Sequence, residues 1–408
     1  MGGELKSQLS FRWVQILLGL SLFGAVLMPP MLLVSAWPTF EVSDLTFPLL
    51  VVLVLLFHRQ AFFSAISKHR KWILAFVIFV GFTIVSILIN KRWFQIRDWF
   101  EVLKYTKFML FLVFFYLFYN RKQIFWLLTP LILAVFVFNL LHYFDVFAFN
   151  TIIEPWYAAP HHLDFFGLNS LGEPATKRAL GTLGNPNTNG LLFLLFVLIF
   201  LPRIHRASRK DLVVLAISIL GIFMCQSRTG ILAYVLVLVA YFILNKPNWR
   251  FIGGIVTYSI AIYFVLMLMG NLYLNSIGNL AVMKSAGVGR LEQWMRILDA
   301  MPGHWIFGHA PEKEYFETNG IYSESEYFLI LFRYGIVGLL SFLMFWGIWL
   351  KETFNKMNRK LSLGLLLALV YLFAAITNNP LQAPKIALIL GLVMALTLIE
   401  LDERKEDI

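Results

Sequence analysis

Long apolar runs alternate along this chain with short clusters of charged and turn-forming residues. Runs of that length predict membrane-crossing α-helices rather than strands. About twelve are read, at 13–35, 43–57, 72–90, 106–119, 124–144, 188–202, 212–226, 229–245, 251–270, 327–350, 361–378 and 384–400. The expected fold is an all-α polytopic membrane protein, one integral membrane domain over residues 1–408, with no internal repeat. Two longer stretches interrupt the alternation, at 145–187 and 271–326. Both keep tryptophan, tyrosine, phenylalanine and leucine, which predicts ordered functional loops rather than disordered ones. A third segment, "NKRWFQIRDWFEVLKY" (90–105), places Ile96, Trp99, Phe100 and Leu103 on one helical face and its charges on the other. That pattern predicts a helix lying in the membrane interface.

Composition agrees with the pattern. Of 408 residues 59% are hydrophobic and 14% charged, and the mean hydropathy of +0.75 excludes an ordinary soluble domain. The first run is long enough to span, so it reads as a helix rather than a cleaved signal peptide. The single cysteine, Cys225, lies in an apolar run without a disulfide partner. The net charge of +11 does not point to nucleic acid, because most of it falls in short loops on one side. With the N-terminus inside, the cytoplasmic set of loops and tails holds roughly 20 of the 34 basic residues. Both termini are then cytoplasmic, the number of spans is even, and the two long loops lie outside.

This assignment makes each outer arginine conspicuous. Arg178 lies in "KRALGTLGNPNTNG" (177–190), Arg228 in the tight turn "CQSRTG" (225–230), and Arg290 in "GRLEQWMRILDAMPGHWIFGH" (289–309). A solvated or snorkelling arginine at the headgroups is the bland alternative for each, and it explains Arg296 as well as any function does. The turn around Arg228 is too short to reach far into water, which favours an anion-binding role. After Arg178 come glycines, a proline and the asparagines Asn185 and Asn187, just where a helix begins. Backbone N–H groups at such a junction favour phosphate, although an ordinary loop-to-helix junction has the same composition. No metal site stands out: His161, His162 and Asp164 are the nearest approach, and adjacent histidines point apart on most backbones. Walker A, G-x-S-x-G and H-E-x-x-H patterns are absent, and no cofactor is implied.

Two carboxylates, Glu324 and Glu326, open the span "ESEYFLILFRYG" (324–335), where hydrocarbon would penalise an unpartnered charge. One bland reading is a salt-bridged carboxylate, with Arg333 further along the helix as its partner. Together with the arginines they suggest another. Arginine holds phosphate oxygens through a planar fork, so a cluster could stabilise a departing pyrophosphate. A neighbouring carboxylate could take the proton of an attacking hydroxyl.

Four stretches, "RALGTLGNPNTNG", "SRTG", "GRLEQWMRILDAMPGHWIFGH" and "ESEYFLILFRYGIVG", resemble in order and spacing the O-antigen ligase and polymerase superfamily, in particular Wzy-type polymerases. The resemblance implies a GT-C-type glycosyltransferase of the bacterial inner membrane, acting at the periplasmic face. Its donor and acceptor would be undecaprenyl pyrophosphate-linked oligosaccharides, with membrane lipids around it and a chain-length-regulating co-polymerase as a candidate partner. It assigns the pyrophosphate to Arg178, Arg228 and Arg290, and the catalytic base to Glu324 or Glu326. Asn185, Asn187, Tyr315 and Tyr327 are candidates for substrate binding, with Tyr322, Trp294 and Trp305 at the rim. An interfacial aromatic belt accounts for these rings equally well. The ligase branch carries a histidine eleven residues before the glycine that is Gly335 here, and this chain has Glu324 there. That departure favours a polymerase over a ligase and places the base at Glu324 more readily than at Glu326. A flippase, the alternative from another class, should carry charges deep within its spans, and the spans read as nearly free of them.

Overall fold

The computed structural model describes residues 2–31, 40–157, 178–202, 208–245, 249–268, 280–312, 323–355 and 363–406. Among them are fifteen α-helices, and an isolated bridge joins Met31 to Phe40. The first seven are α1 (Gly2–Leu27), α2 (Val42–Phe57), α3 (Arg59–Lys68), α4 (Arg70–Ile89), α5 (Ile96–Phe118), α6 (Arg121–Phe144) and α7 (Phe149–Tyr157). Then come α8 (Pro186–Phe200), α9 (Arg209–Cys225), α10 (Arg228–Asn245), α11 (Trp249–Leu268) and α12 (Leu280–Asp299). The last three are α13 (Glu326–Asn355), α14 (Leu363–Ala374) and α15 (Pro384–Glu406).

Local chemistry sets several helix ends. At α6 the Asn120 side chain accepts the Gln123 N–H at 2.9 Å, and Gln123 returns the bond to the Asn120 N–H at 3.0 Å. Ser208 and Asp211 cap α9 in the same reciprocal way. The first helix departs from the expected 13–35 run. It ends at Leu27, just before Pro29 and Pro30, which cannot continue an α-helix.

Among the described residues, five helices contain segments long and apolar enough to cross a membrane: Gln8–Leu27, Arg70–Ile89, Arg121–Phe144, Glu326–Phe354 and Pro384–Glu403. The α2–α3 pair, bent by 97°, makes a sixth if taken as one broken span. Pro186–Phe200, Arg228–Ile243, Ile252–Leu268 and Leu363–Ala374 are shorter apolar helices. The protein is thus a multi-pass membrane protein. Its centre is α8, where every residue from Asn189 to Phe200 is buried. A helix apolar on all sides belongs inside a bundle, and α9, α10, α14 and α15 surround it. By contrast α11 turns Val256, Ile260, Phe264 and Val265 outward.

Residues 90–105 do not form a separate interfacial helix. From Ile96 they are the first turns of α5, and the polar face points inward: Asp98 and Glu101 are buried while Ile96 and Leu103 are exposed. The amphipathic pattern was real, but inside a bundle the charged face seeks partners in protein, and the apolar face is the one turned outward.

One backbone break positions the site. Gly335 takes φ +67° and ψ −169° inside α13, a conformation that costs an L side chain and leaves helical hydrogen-bonding groups open. The turn 302–308 fills the gap. Ile336 N–H donates to the Trp305 carbonyl at 2.8 Å, His309 N–H to the Phe332 carbonyl at 2.9 Å, and Ser86 Oγ to the Arg333 carbonyl at 2.8 Å. A Cβ at Gly335 would overlap the Ile306 carbonyl, and one at Gly308 would overlap the backbone of Arg333. The third and fourth conspicuous stretches of the sequence are therefore two halves of one backbone-to-backbone joint.

Candidate active site

The "RALGTLGN" segment folds over the turn of the α9–α10 hairpin. Ala179 N–H donates to the Met224 carbonyl at 3.0 Å, and Arg178 Nε to the Cys225 carbonyl at 3.1 Å. The other end of the guanidinium donates to Asn187 Oδ1 at 2.8 Å. Arg178 is only 6% exposed, so it is an enclosed brace as much as a binding group. Asn185 is the N-cap of α8: its side-chain oxygen accepts from the N–H groups of Asn187 (2.8 Å) and Thr188 (3.2 Å). Gly181, at φ +57°, brings the chain against Asn139 and Asn189, whose amides bond each other at 2.6 Å.

The "SRTG" turn is held just as closely. Gln226 adopts a left-handed conformation, φ +48°, that ends α9. Ser227 Oγ then accepts from Gly230 N–H at 3.2 Å. Added Cβ atoms at Gly190 and Gly230 would come within 3.1 and 3.2 Å of the Ser227 side chain, tighter than ordinary contact. Arg228, half-buried, is the first residue of α10. Its neighbour Thr229 bonds Thr377 at 2.6 Å, which ties this turn to the segment joining α14 and α15.

That segment in turn holds the two glutamates, and it treats them differently. Glu326 is fully buried: its carboxylate accepts the Tyr371 hydroxyl and, at 3.1 Å, the Leu381 N–H. Its own N–H donates to the Ala375 carbonyl at 2.9 Å, Asn379 Nδ2 to the Ser323 carbonyl at 2.5 Å, and Ser325 Oγ to the Ala375 carbonyl at 3.2 Å. Glu324, between those laced residues, is half-exposed and accepts from Arg290 Nε at 2.8 Å. Arg290 is presented by α12, which docks on α13 through a Trp294–Phe328 ring stack at 4.8 Å and the buried contacts of Ile297, Met301 and Phe332. Hydrogen bonds thus run from Arg178 through the Arg228 turn and the α14–α15 segment to Glu324 and Arg290.

Residues 213–343 match a family model described as O-antigen ligase, Wzy_C, and that stretch contains Arg228, Arg290, Glu324, Glu326 and the Gly335 joint. Residues 213–343 belong to the Wzy_C family. No curated protein matches the chain. The Wzy_C stretch does not stand alone: Arg178, Tyr371, Thr377 and Leu381 lie outside it and are laced to it by the bonds above.

Some sequence candidates sit elsewhere. The Tyr327 hydroxyl is bonded to the Leu372 carbonyl at 2.7 Å and its ring packs into the core, whereas Trp305 is 46% exposed. Tyr315, Tyr322, His161, His162 and Asp164 lie outside the described residues. The pairing of Arg333 with either opening glutamate is not what forms. Arg333 lies 3.5 Å from Glu101 and donates to Gln382 Oε1 at 3.1 Å.

Further charged groups pair at and beside the start of α5. Lys104 bonds Glu101 at 3.0 Å and Gln382 at 3.1 Å, and Arg92 bonds Asp98 at 2.6 Å and Glu312 at 3.1 Å. Near the Gly181 turn, Lys385 donates to the carbonyls of Met28 (2.9 Å) and Thr182 (2.8 Å). Burial raises the carboxyl pKa of neighbouring Glu41, against the opposing pull of Lys107 and Lys385. The signal available in sequence was the i, i+3, i+6 spacing of Asp98, Glu101 and Lys104, which marks one face without saying what covers it.

Proposed function

We propose that this protein is a Wzy-type O-antigen polymerase, a GT-C-type transferase with twelve spans, both termini cytoplasmic and the Arg228–Glu324 end of the bundle periplasmic. Members of the Wzy_C family are lipid-linked sugar transferases. The observation that carries the reading is that one hydrogen-bonded framework holds both the turn that bears half-buried Arg228 and the segment that bears Glu324, paired with Arg290.

In the proposed reaction, a hydroxyl at the non-reducing end of a new lipid-linked repeat attacks the anomeric carbon of the growing glycan. A carbon–oxygen bond forms there as the bond to undecaprenyl pyrophosphate breaks. The hydroxyl proton passes to Glu324, and the electron pair leaves with the pyrophosphate. Arg228 and Arg290 hold the developing negative charge, which a planar fork does well. Arg178, being enclosed, positions Asn187 and the Arg228 turn. Glu326 positions the Glu324 segment. Arginines thus supply the charge stabilisation that a divalent ion supplies in other sugar transferases.

Glutamate rather than histidine at position 324 favours the polymerase over the ligase. The lipopolysaccharide gel of a deletion strain separates the two. The polymerase reading expects core bearing a single repeat. Bare core lipid would make the protein a ligase, and an unchanged ladder would end both readings.

A further inference from the structure

We propose that Arg290 acts as a gate on Glu324: it occupies the carboxylate until a donor pyrophosphate draws it away, so the base is released only once the donor is bound. This rests on the function proposed above and concerns the regulation of that same site.

Two of the arginine–glutamate pairs among the described residues are of opposite character. Arg333 and Glu101 are 8% and 0% exposed, locked among Lys104 and Gln382. Separating them would strand charges away from water. Arg290 and Glu324 have side chains 34% and 38% exposed and meet through a bond from Nε at 2.8 Å. Such a pair is weak in water, and a pyrophosphate offers the same guanidinium a bidentate contact and more charge. Exchange therefore favours the anion when it arrives. In the paired state a Glu324 oxygen already accepts a guanidinium proton and is less available to a hydroxyl. After exchange it is free to receive one. No co-reactant is needed, since the step swaps one ionic contact for another.

The arrangement has a consequence that a merely orienting carboxylate would not share. If Glu324 competes with pyrophosphate for Arg290, removing its charge should tighten anion binding. If Glu324 only holds Arg290 in place, removing it should weaken binding. Isothermal titration of the full-length protein in detergent with inorganic pyrophosphate distinguishes them. The gate predicts that Glu324→Gln binds roughly two- to fivefold more tightly than the unaltered protein. It also predicts that Glu324→Gln has no effect in an Arg290→Ala background. Glu324→Ala should shift affinity in the same direction and serves where the glutamine variant does not fold. Equal or weaker binding by Glu324→Gln or Glu324→Ala would overturn the gate while leaving the pyrophosphate clamp intact. Undiminished binding by Arg290→Ala would instead remove the clamp itself, and the gate with it.

Discussion

The Tyr371 hydroxyl donates to the carboxylate of Glu326, closing α14 over the start of α13. Glu324, two residues earlier, meets Arg290 at the open side of the same segment. The two glutamates therefore divide into a buried clamp and an accessible acceptor, and each can be tested alone. Glu324→Gln should leave a single-repeat lipopolysaccharide. Glu326→Gln should still give a ladder, because its amide oxygen can accept from Tyr371. Normal ladders from both variants would remove carboxylate catalysis from this segment.

Tyr371→Phe keeps the ring stacked on Trp346 but strips a hydrogen bond from a buried carboxylate. The expected loss is about 1–3 kcal/mol of stability, read as a lower melting temperature in detergent. Activity of the protein that remains folded should change less than that of Glu324→Gln. A melting temperature equal to that of the unaltered protein would mean that the clamp is not needed.

Arg228→Ala and Arg290→Ala each remove charge-assisted bonds of about 1.5–3 kcal/mol. At about 1.4 kcal/mol per decade, polymerisation should slow by one to two orders of magnitude. Lysine should rescue either position poorly, since it lacks the fork. Arg178→Lys should also fail, for a different reason: it loses the simultaneous reach to the Cys225 carbonyl and Asn187. Normal ladders from stably expressed alanine variants would refute the clamp.

The joint between turn 302–308 and the broken α13 predicts a sharp contrast among glycines. Gly335→Ala and Gly308→Ala would each drive a methyl into backbone at a positive φ, so both should destabilise the protein severely. Gly289→Ala, where nothing lies within 4 Å of an added Cβ, should be tolerated. Expression and thermal melting of the three variants check this directly.

In the buried cluster, Glu101→Gln removes the carboxylate that Arg333 and Lys104 share and should cost about 3–5 kcal/mol, whereas Arg333→Met leaves Glu101 paired with Lys104 and should cost less. The double variant should be less damaged than the sum of the two, and a double-mutant cycle measures the difference.

The sequence made some of this legible and hid the rest for definite reasons. Arg228, Arg290 and Glu324 stood out because a charge beside an apolar run, on the side that the basic-residue count assigns to the exterior, calls for an explanation. The run 327–350 reads as one continuous span, and the Gly335 break within it does not show, because its joint to the 302–308 turn is made by backbone atoms. In the sequence, spacing from Gly335 alone favours Glu324 over Glu326. What separates them is Tyr371 and the Leu381 N–H, contributed by an apolar helix and by the polar turn "TNNPLQ" (377–382), which carries no sign in sequence of facing Glu326. The charged face of residues 96–105 was correctly grouped but assigned to water. Periodicity identifies a face; Arg333 from α13 and Gln382 from the α14–α15 segment show that protein covers it.

The central claim is that this chain extends a lipid-linked glycan by using Glu324 as the base. The most direct test is the purified protein reconstituted with undecaprenyl pyrophosphate-linked repeat units in excess EDTA, with glycan length followed by electrophoresis. The account predicts a growing ladder with release of undecaprenyl pyrophosphate, and no ladder from Glu324→Gln. Equal chain growth by the two proteins, or growth that appears only when magnesium or manganese is restored, would contradict it.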